Sequence, residues 1–127
     1  MAGELTPLVL LPRYSTFVGT STGGAGKEYV TIAMDVTEFE RAILNCWRGK
    51  LLGTSPTFGL TFQESSDQQT WSTCAGTNVS AYDPGEETEG QASATISKQW
   101  FRVKVVLGGT APAATCWAVG FLERRLS

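Results

Sequence analysis

The 127-residue chain contains no histidine, and that absence removes most hydrolytic chemistry before any motif is sought. Ser-His-Asp and Cys-His constellations need an imidazole to take the nucleophile's proton, so neither can be assembled. Cysteine is scarce as well. Cys46, Cys74 and Cys116 are the only three, an odd number without the CxxC spacing of a zinc site or the even count of a disulfide framework. They read as buried thiols near Trp47 and Trp117, behaving as small hydrophobes. No metal or cofactor is expected, and the chain reads as a non-enzyme.

Charge is also sparse. Asp, Glu, Lys and Arg make up 17% of the residues, below the roughly 25% of average globular domains. The net charge is -2, and Lys and Arg do not cluster beyond Glu123-Arg124-Arg125. Without a basic field to meet a phosphate backbone, nucleic acid is not an expected partner. Long apolar runs are missing too: no stretch approaches the roughly 20 residues that span a bilayer as a helix. The start places Glu4 ahead of Leu8-Val-Leu-Leu11 and then Pro12, which is not the basic opening of a cleavable signal. No membrane partner is expected, and a soluble protein made in the cytoplasm is.

Two further chemistries can be weighed and set aside. The loop Thr20 to Gly26, followed by Lys27, would need Gly at Ser21 and Ser or Thr at Glu28 to cradle a phosphate. Glu64, Asp67, Asp83, Glu86, Glu87 and Glu89 could in principle supply a glycosidase carboxylate pair. They fall in turn-like segments where nothing apolar would raise a carboxyl pKa, and they read as solvated loop residues. The acidic run Asp83 to Glu89 lacks the spacing of an EF-hand.

What the chain does have is alternation. Phe58-Gly-Leu-Thr-Phe62, Phe101-Arg-Val-Lys-Val105-Val-Leu107 and Cys116-Trp-Ala-Val-Gly-Phe-Leu122 are apolar at every second position or on both faces, which is strand periodicity. Glu64 to Thr70 and Asp83 to Gly90 hold the Ser, Asp, Pro and Gly of turns. Thr6 to Leu11 reads as a short strand stopped by Pro12, after which Arg13 to Gly19 resumes an extended composition. Glu28 to Asp35 alternates Val30, Ile32 and Met34 against Tyr29, Thr31 and Ala33. Thr70 to Cys74 and Ser93 to Ser97 read as brief strands, Leu51 to Ser55 as a turn, and Gly108-Gly109 as a turn before a closing strand from Ala114 to Glu123.

Val36 to Arg48 is open between two readings. Thr37-Glu-Phe-Glu40 resembles a helix capping box, whereas Ile43-Leu-Asn-Cys-Trp47 has the composition of a strand entered through a turn at Thr37. With seven or eight short strands in one domain of residues 1–127, the expected fold is an all-β antiparallel sandwich or jelly roll.

Thr57-Phe-Gly-Leu-Thr-Phe-Gln-Glu-Ser-Ser-Asp-Gln-Gln-Thr-Trp71, then Trp100-Phe-Arg-Val-Lys-Val-Val-Leu-Gly-Gly-Thr110 and Cys116 to Leu122, resemble small β-sandwich head decoration, or cement, proteins of tailed bacteriophages. The likeness lies in a strand ending in a Glu-Ser-x-Asp turn before Trp, an aromatic-Arg-Val strand and a final apolar strand, over about half the chain. It implies a virion structural protein on the outer capsid surface. Its partners would be the major capsid protein and other copies of itself, as dimers or trimers, with the loops Thr20 to Gly26 and Asp83 to Gly90 as arms. The alternative is a carbohydrate-binding sandwich of a phage tail or fibre, with Trp71 and Tyr82 as an aromatic platform.

Met1 to Leu11 carries more apolar surface than a free tail should show. It is either an arm ordered against a neighbour or the first strand of its own sheet. Leu5, Leu8, Val9, Leu10 and Leu11 are therefore candidate interface residues, together with Trp71 and Tyr82.

Overall fold

A computed structural model describes residues 5–19 and 27–125. The described chain is all-β and antiparallel, as the alternation requires, with nine strands in one sheet and no helix. The strands are β1 (Leu5–Val18), β2 (Lys27–Val30), β3 (Met34–Asp35), β4 (Phe39–Arg48), β5 (Leu52–Ser65), β6 (Ser72–Thr73), β7 (Ala75–Thr77), β8 (Thr88–Thr95) and β9 (Trp100–Arg124).

β9 is 25 residues long and runs down the middle. Along one side lie β4 and then β5, pairing from Phe39 opposite Arg124 to Ser65 opposite Trp100. Along the other lie β1, β2 and β3, from Leu5 opposite Glu123 to Asp35 opposite Trp100. The expected turn at Gly108-Gly109 does not reverse the chain, and the expected turn from Leu51 to Ser55 is largely strand. Both are places where long strands bend. In β9, Gly109 and Ala111 take φ of 97° and 50°, and in the facing part of β5, Gly53 and Ser55 take φ of 111° and 50°. The β5–β9 register slips at the same place, between Leu52 and Thr57. Left-handed residues that slip the ladder by one are bulges, and bulges sharpen twist and bend a sheet.

The bend folds the sheet onto itself, so that its two halves face each other as two layers would. Ser72 to Tyr82 then nearly closes the ring. On one side it bonds to β5, through Gln63 opposite Thr73 and through reciprocal bonds between Leu60 and Tyr82 of 2.8 and 2.9 Å. On the other side β7 pairs with β8, which pairs with β4. The interior is filled by alternate residues of each strand: Leu8 and Leu10 from β1, Ala42, Leu44 and Cys46 from β4, Leu60 and Phe62 from β5, Ala92 and Ala94 from β8, and Phe101, Val103, Val105 and Leu107 from β9.

The open segment 36–48 resolves as the strand entered through a turn. Asp35 Oδ1 accepts from the Thr37 amide at 3.0 Å and from the Thr37 hydroxyl at 2.6 Å. That bonding forms a tight Asx turn in place of the helix start. β1 also corrects an expectation, because Pro12 does not stop the strand. Its ladder skips Pro12 to Tyr14, with Leu11 opposite Ala118 and Ser15 opposite Cys116, and the skipped residues bulge outward. Glu28 to Asp35 is broken instead of continuous: β2 ends at Val30 and β3 begins at Met34. The loop Thr20 to Gly26 and residues Met1 to Glu4 lie outside the described residues.

Gly109 is pinned hardest at the bend. A Cβ there would stand 2.6 Å from the Ser55 carbonyl oxygen and 2.8 Å from that of Thr54. Gly109→Ala therefore adds a backbone clash to an unfavourable φ, and should lower unfolding free energy by about 1–3 kcal/mol in urea titration. An unchanged midpoint would mean that the bend is not held by this contact.

Candidate interaction surface

One face of an antiparallel sheet packs on the core and the other normally alternates polar residues toward water. The outer face of β1, β9 and β4 departs from that rule. In register across the three strands stand Pro7, Phe121 and Ile43, and in the next row Val9, Val119 and Asn45. Phe121 is 44% exposed and Val9 is 59% exposed. The row beyond begins with Leu5, also exposed, and is tied by Arg41, whose guanidinium donates to Glu123 Oε1 at 2.8 Å.

At the other end of this face is an aromatic stack. Trp47 and Trp117 are cross-strand partners whose rings stack at 4.5 Å and 15°. The bulge in β1 turns Tyr14 edge-on against both, at 5.9 and 5.3 Å, and lays the Arg13 guanidinium 4.6 Å from the Trp117 ring. Tyr14 holds φ of 64° to do so. The Trp117 indole Nε1–H is buried without a hydrogen-bond partner, a cost of about 1–3 kcal/mol for an orphan donor.

The two rims of the sheet contrast with each other. Among the described residues, six of the eight large exposed apolar side chains, Leu5, Val9, Tyr14, Val18, Val30 and Ile32, lie along β1 and residues 30–32. The opposite rim, β6 and β7, presents small and polar residues from Ser72 to Thr77. Between β1 and residues 30–34 the apolar rim opens into a cleft of about 530 Å³ lined by Val9, Leu10, Val30, Thr31, Ile32 and Met34.

The candidate interface residues divide accordingly. Leu8, Leu10 and Leu11 belong to the core of their own sheet, so Leu5 to Leu11 is the start of the chain's first strand, and within it Leu5 and Val9 face outward. Trp71 is half-buried at the polar hairpin tip beneath Arg102, whose guanidinium lies 4.0 Å from the ring centre and donates to Gln63 Oε1 at 2.9 Å. One face of Trp71 is thus covered, and Tyr82 packs against the core. Val30, Ile32 and Phe121 were not among the candidates. Their signal was that Cys116 to Leu122 is apolar on both faces, more than a single core can absorb, and that Val30, Ile32 and Met34 line one apolar face of Glu28 to Asp35.

Three of the six acidic candidates, Asp67, Asp83 and Glu64, are held in structural bonds. Asp67 accepts from the amides of Thr70 and Gln69 and from the Ser65 hydroxyl, which together hold its carboxyl below the usual range. Asp83 is paired with Arg48 at 2.6 Å. Burial opposes its ionised form, but the Arg48 guanidinium and the Gly85 amide outweigh burial and keep its pKa low. Glu64 corrects the sequence reading. It is buried, not solvated, and its carboxylate accepts from the amide and hydroxyl of Ser97 at 2.8 and 2.9 Å. Its strand phase, shared with Phe58, Leu60 and Phe62, is what turns it inward. Among the described residues, no group of three His, Cys, Asp or Glu side chains is placed to hold a metal ion.

Compared with known proteins, the chain matches no family model and no curated protein.

All three thiols are buried, and desolvation pushes each up to about 12. Since the thiolate is the reactive form, none should react with a thiol reagent at pH 8 in the folded protein, and all three should react in denaturant. One thiol labelling at the rate of a free cysteine under native conditions would contradict this burial.

Proposed function

We propose that this is a non-enzymatic structural protein of a phage virion, a decoration or cement protein that sits on the outer capsid surface and braces it across subunit boundaries. One observation supports the reading above the rest: the outward face of β1, β9 and β4 carries Pro7, Val9, Ile43, Val119 and Phe121 side by side where a solvated sheet would be largely polar, with Phe121 44% and Val9 59% exposed. Contiguous apolar surface of this kind marks a place where another protein docks. The resemblance of Thr57 to Trp71, Trp100 to Thr110 and Cys116 to Leu122 to decoration proteins supplies the identity of that partner, the major capsid protein.

The physical logic of such a protein is multiplicity. Each contact is modest, but many copies repeated over a symmetric shell act together against its expansion. A preformed sheet suits this use, since it docks without the ordering entropy that a flexible segment would lose. A sugar-binding role has less support, because Arg102 occupies a face of Trp71 that a sugar ring would need.

The test is co-sedimentation with heads assembled from the major capsid protein of the same genome. The chain should bind saturably and raise the temperature at which the heads rupture. Phe121→Lys, which changes an outward residue, should weaken binding at least tenfold, the equivalent of about 1.4 kcal/mol or more. Binding to oligosaccharides with indifference to the heads would overturn the proposal.

A further inference from the structure

A site for an anion is a place where hydrogen-bond donors collect with no acceptor left to take them. The register of β5 against β9 sets Gln63 opposite Arg102 and Thr61 opposite Lys104, and these four side chains form a square on the outer face of the layer that does not carry Phe121. Their acceptors are in use. Gln63 Oε1 takes the Arg102 Nε–H at 2.9 Å, and Thr61 Oγ1 takes the Ala81 amide at 3.0 Å. Among the described residues, nothing accepts from the Gln63 side-chain nitrogen, the Thr61 hydroxyl proton or the two Arg102 Nη groups.

Arg102 is the held piece. Trp71 lies under its guanidinium at 4.0 Å and Gln63, itself buried, fixes Nε, so the two Nη groups are presented side by side. Arg41, Arg48 and Arg124 each hold a carboxylate. Arg102 holds none among the described residues, and burial draws its pKa down with no acid to offset it. Glu28 is the acid that approaches the square, with Oε2 3.9 Å from Lys104 Nζ. Two cations against one carboxylate leave a single positive charge. Thr61 and Lys104 also line a hollow of about 380 Å³ that continues over Gly59, where the missing side chain leaves room beside Val106 and Ala81.

We propose that this face binds a carboxylate with a small apolar body, its two oxygens on Arg102 and Lys104 and its body in the hollow over Gly59. A guanidinium fork matches two coplanar oxygens, and one remaining positive charge matches a monoanion. A phosphate dianion would overshoot that charge and leave the apolar hollow empty. Distance agrees too: the step from the Arg102 row to the Lys104 row, or from there to the Val106 row, is about 6.6 Å, the reach of one ring. The hollow is at the small end of ligand sites, which run from about 300 Å³.

The site lies on the other layer from the docking face, so it and the co-sedimentation test stand or fall separately. The experiment is two-dimensional NMR of the nitrogen-labelled full chain, titrated with phenylacetate to about 50 mM. The Arg102 Nε–H and Trp71 indole resonances should move together and saturate in the low millimolar range. Phenylacetamide keeps the shape without the charge, acetate keeps the charge without the ring, and phosphate is the competing anion; each should bind at least fivefold more weakly. Arg102→Gln removes the fork, and Lys104→Met removes the second cation while keeping its stem. Read at the Trp71 indole, each should weaken phenylacetate at least fivefold, with circular dichroism confirming the fold. Lys98→Met alters an exposed cation outside the square, bonded to Ser72, and should leave binding unchanged. Shifts that never saturate, phenylacetamide, acetate or phosphate binding as tightly as phenylacetate, or indifference to both substitutions in the square would each overturn the site.

Discussion

Everything in this structure hangs on the hydrogen-bond ladders along both sides of β9. Five of the other eight strands pair with it, and the circuit of strands nearly closes because its two halves belong to different layers. A buried backbone cannot leave its amides and carbonyls unpaired without a cost comparable to a lost hydrogen bond for each group. A 25-residue strand through the core therefore needs two continuous partners. The chain provides them as β4 and β5 on one side, with β5 bent where β9 bends, and as β1, β2 and β3 on the other. Gly109, Ala111, Gly53 and Ser55 make that bend geometrically allowed, and the Phe, Val and Leu residues on the inner face of β9 make it favourable by turning one sheet into both walls of a core.

The fold class was legible because period-2 alternation depends only on which face is buried. Phe58 to Phe62 and Phe101 to Leu107 obey that rule, and both are strands with the expected inward residues. Strand continuity was not legible. Gly108-Gly109, Leu51 to Ser55 and Pro12 carry the residue types of chain reversals, yet each lies within a strand, since a bulge and a turn call on the same φ-tolerant residues and differ only in whether a neighbouring strand follows the bend. The choice at residues 36–48 turned on Asp35, whose carboxylate captures the Thr37 amide and hydroxyl and so sets an Asx turn that a reading starting at Thr37 does not include.

The outer surface was partly legible. Excess apolar residues near the start pointed to β1, and Leu5 and Val9 do face outward, but Leu8, Leu10 and Leu11 alternate into the core by the same periodicity. Phe121 stood in a strand apolar on both faces, and Ile32 in a segment that the alternation read as continuous strand but that breaks between Val30 and Met34. Sequence alone does not say which of two apolar faces is inside, because this depends on register against β9: Phe121 shares a row with Pro7 and Ile43, while Leu122 shares one with Thr6 and Ala42. Glu64 shows the converse case, a charged residue whose phase carries it inward, where Ser97 supplies its hydrogen bonds. The result is a molecule with a polar rim at β6 and β7, an apolar rim at β1 and β2, and an apolar outer face between them.

Native-state hydrogen exchange read residue by residue tests the central role of β9 most directly. If one strand ties both layers together, the amides of Val103, Val105 and Leu107 and those of Ala118 and Leu122 should open only in the same global unfolding event, with equal free energies and equal denaturant dependence. Two groups that open at different free energies, one on each side of the bend at Gly109, would show two separately stable layers and contradict the account.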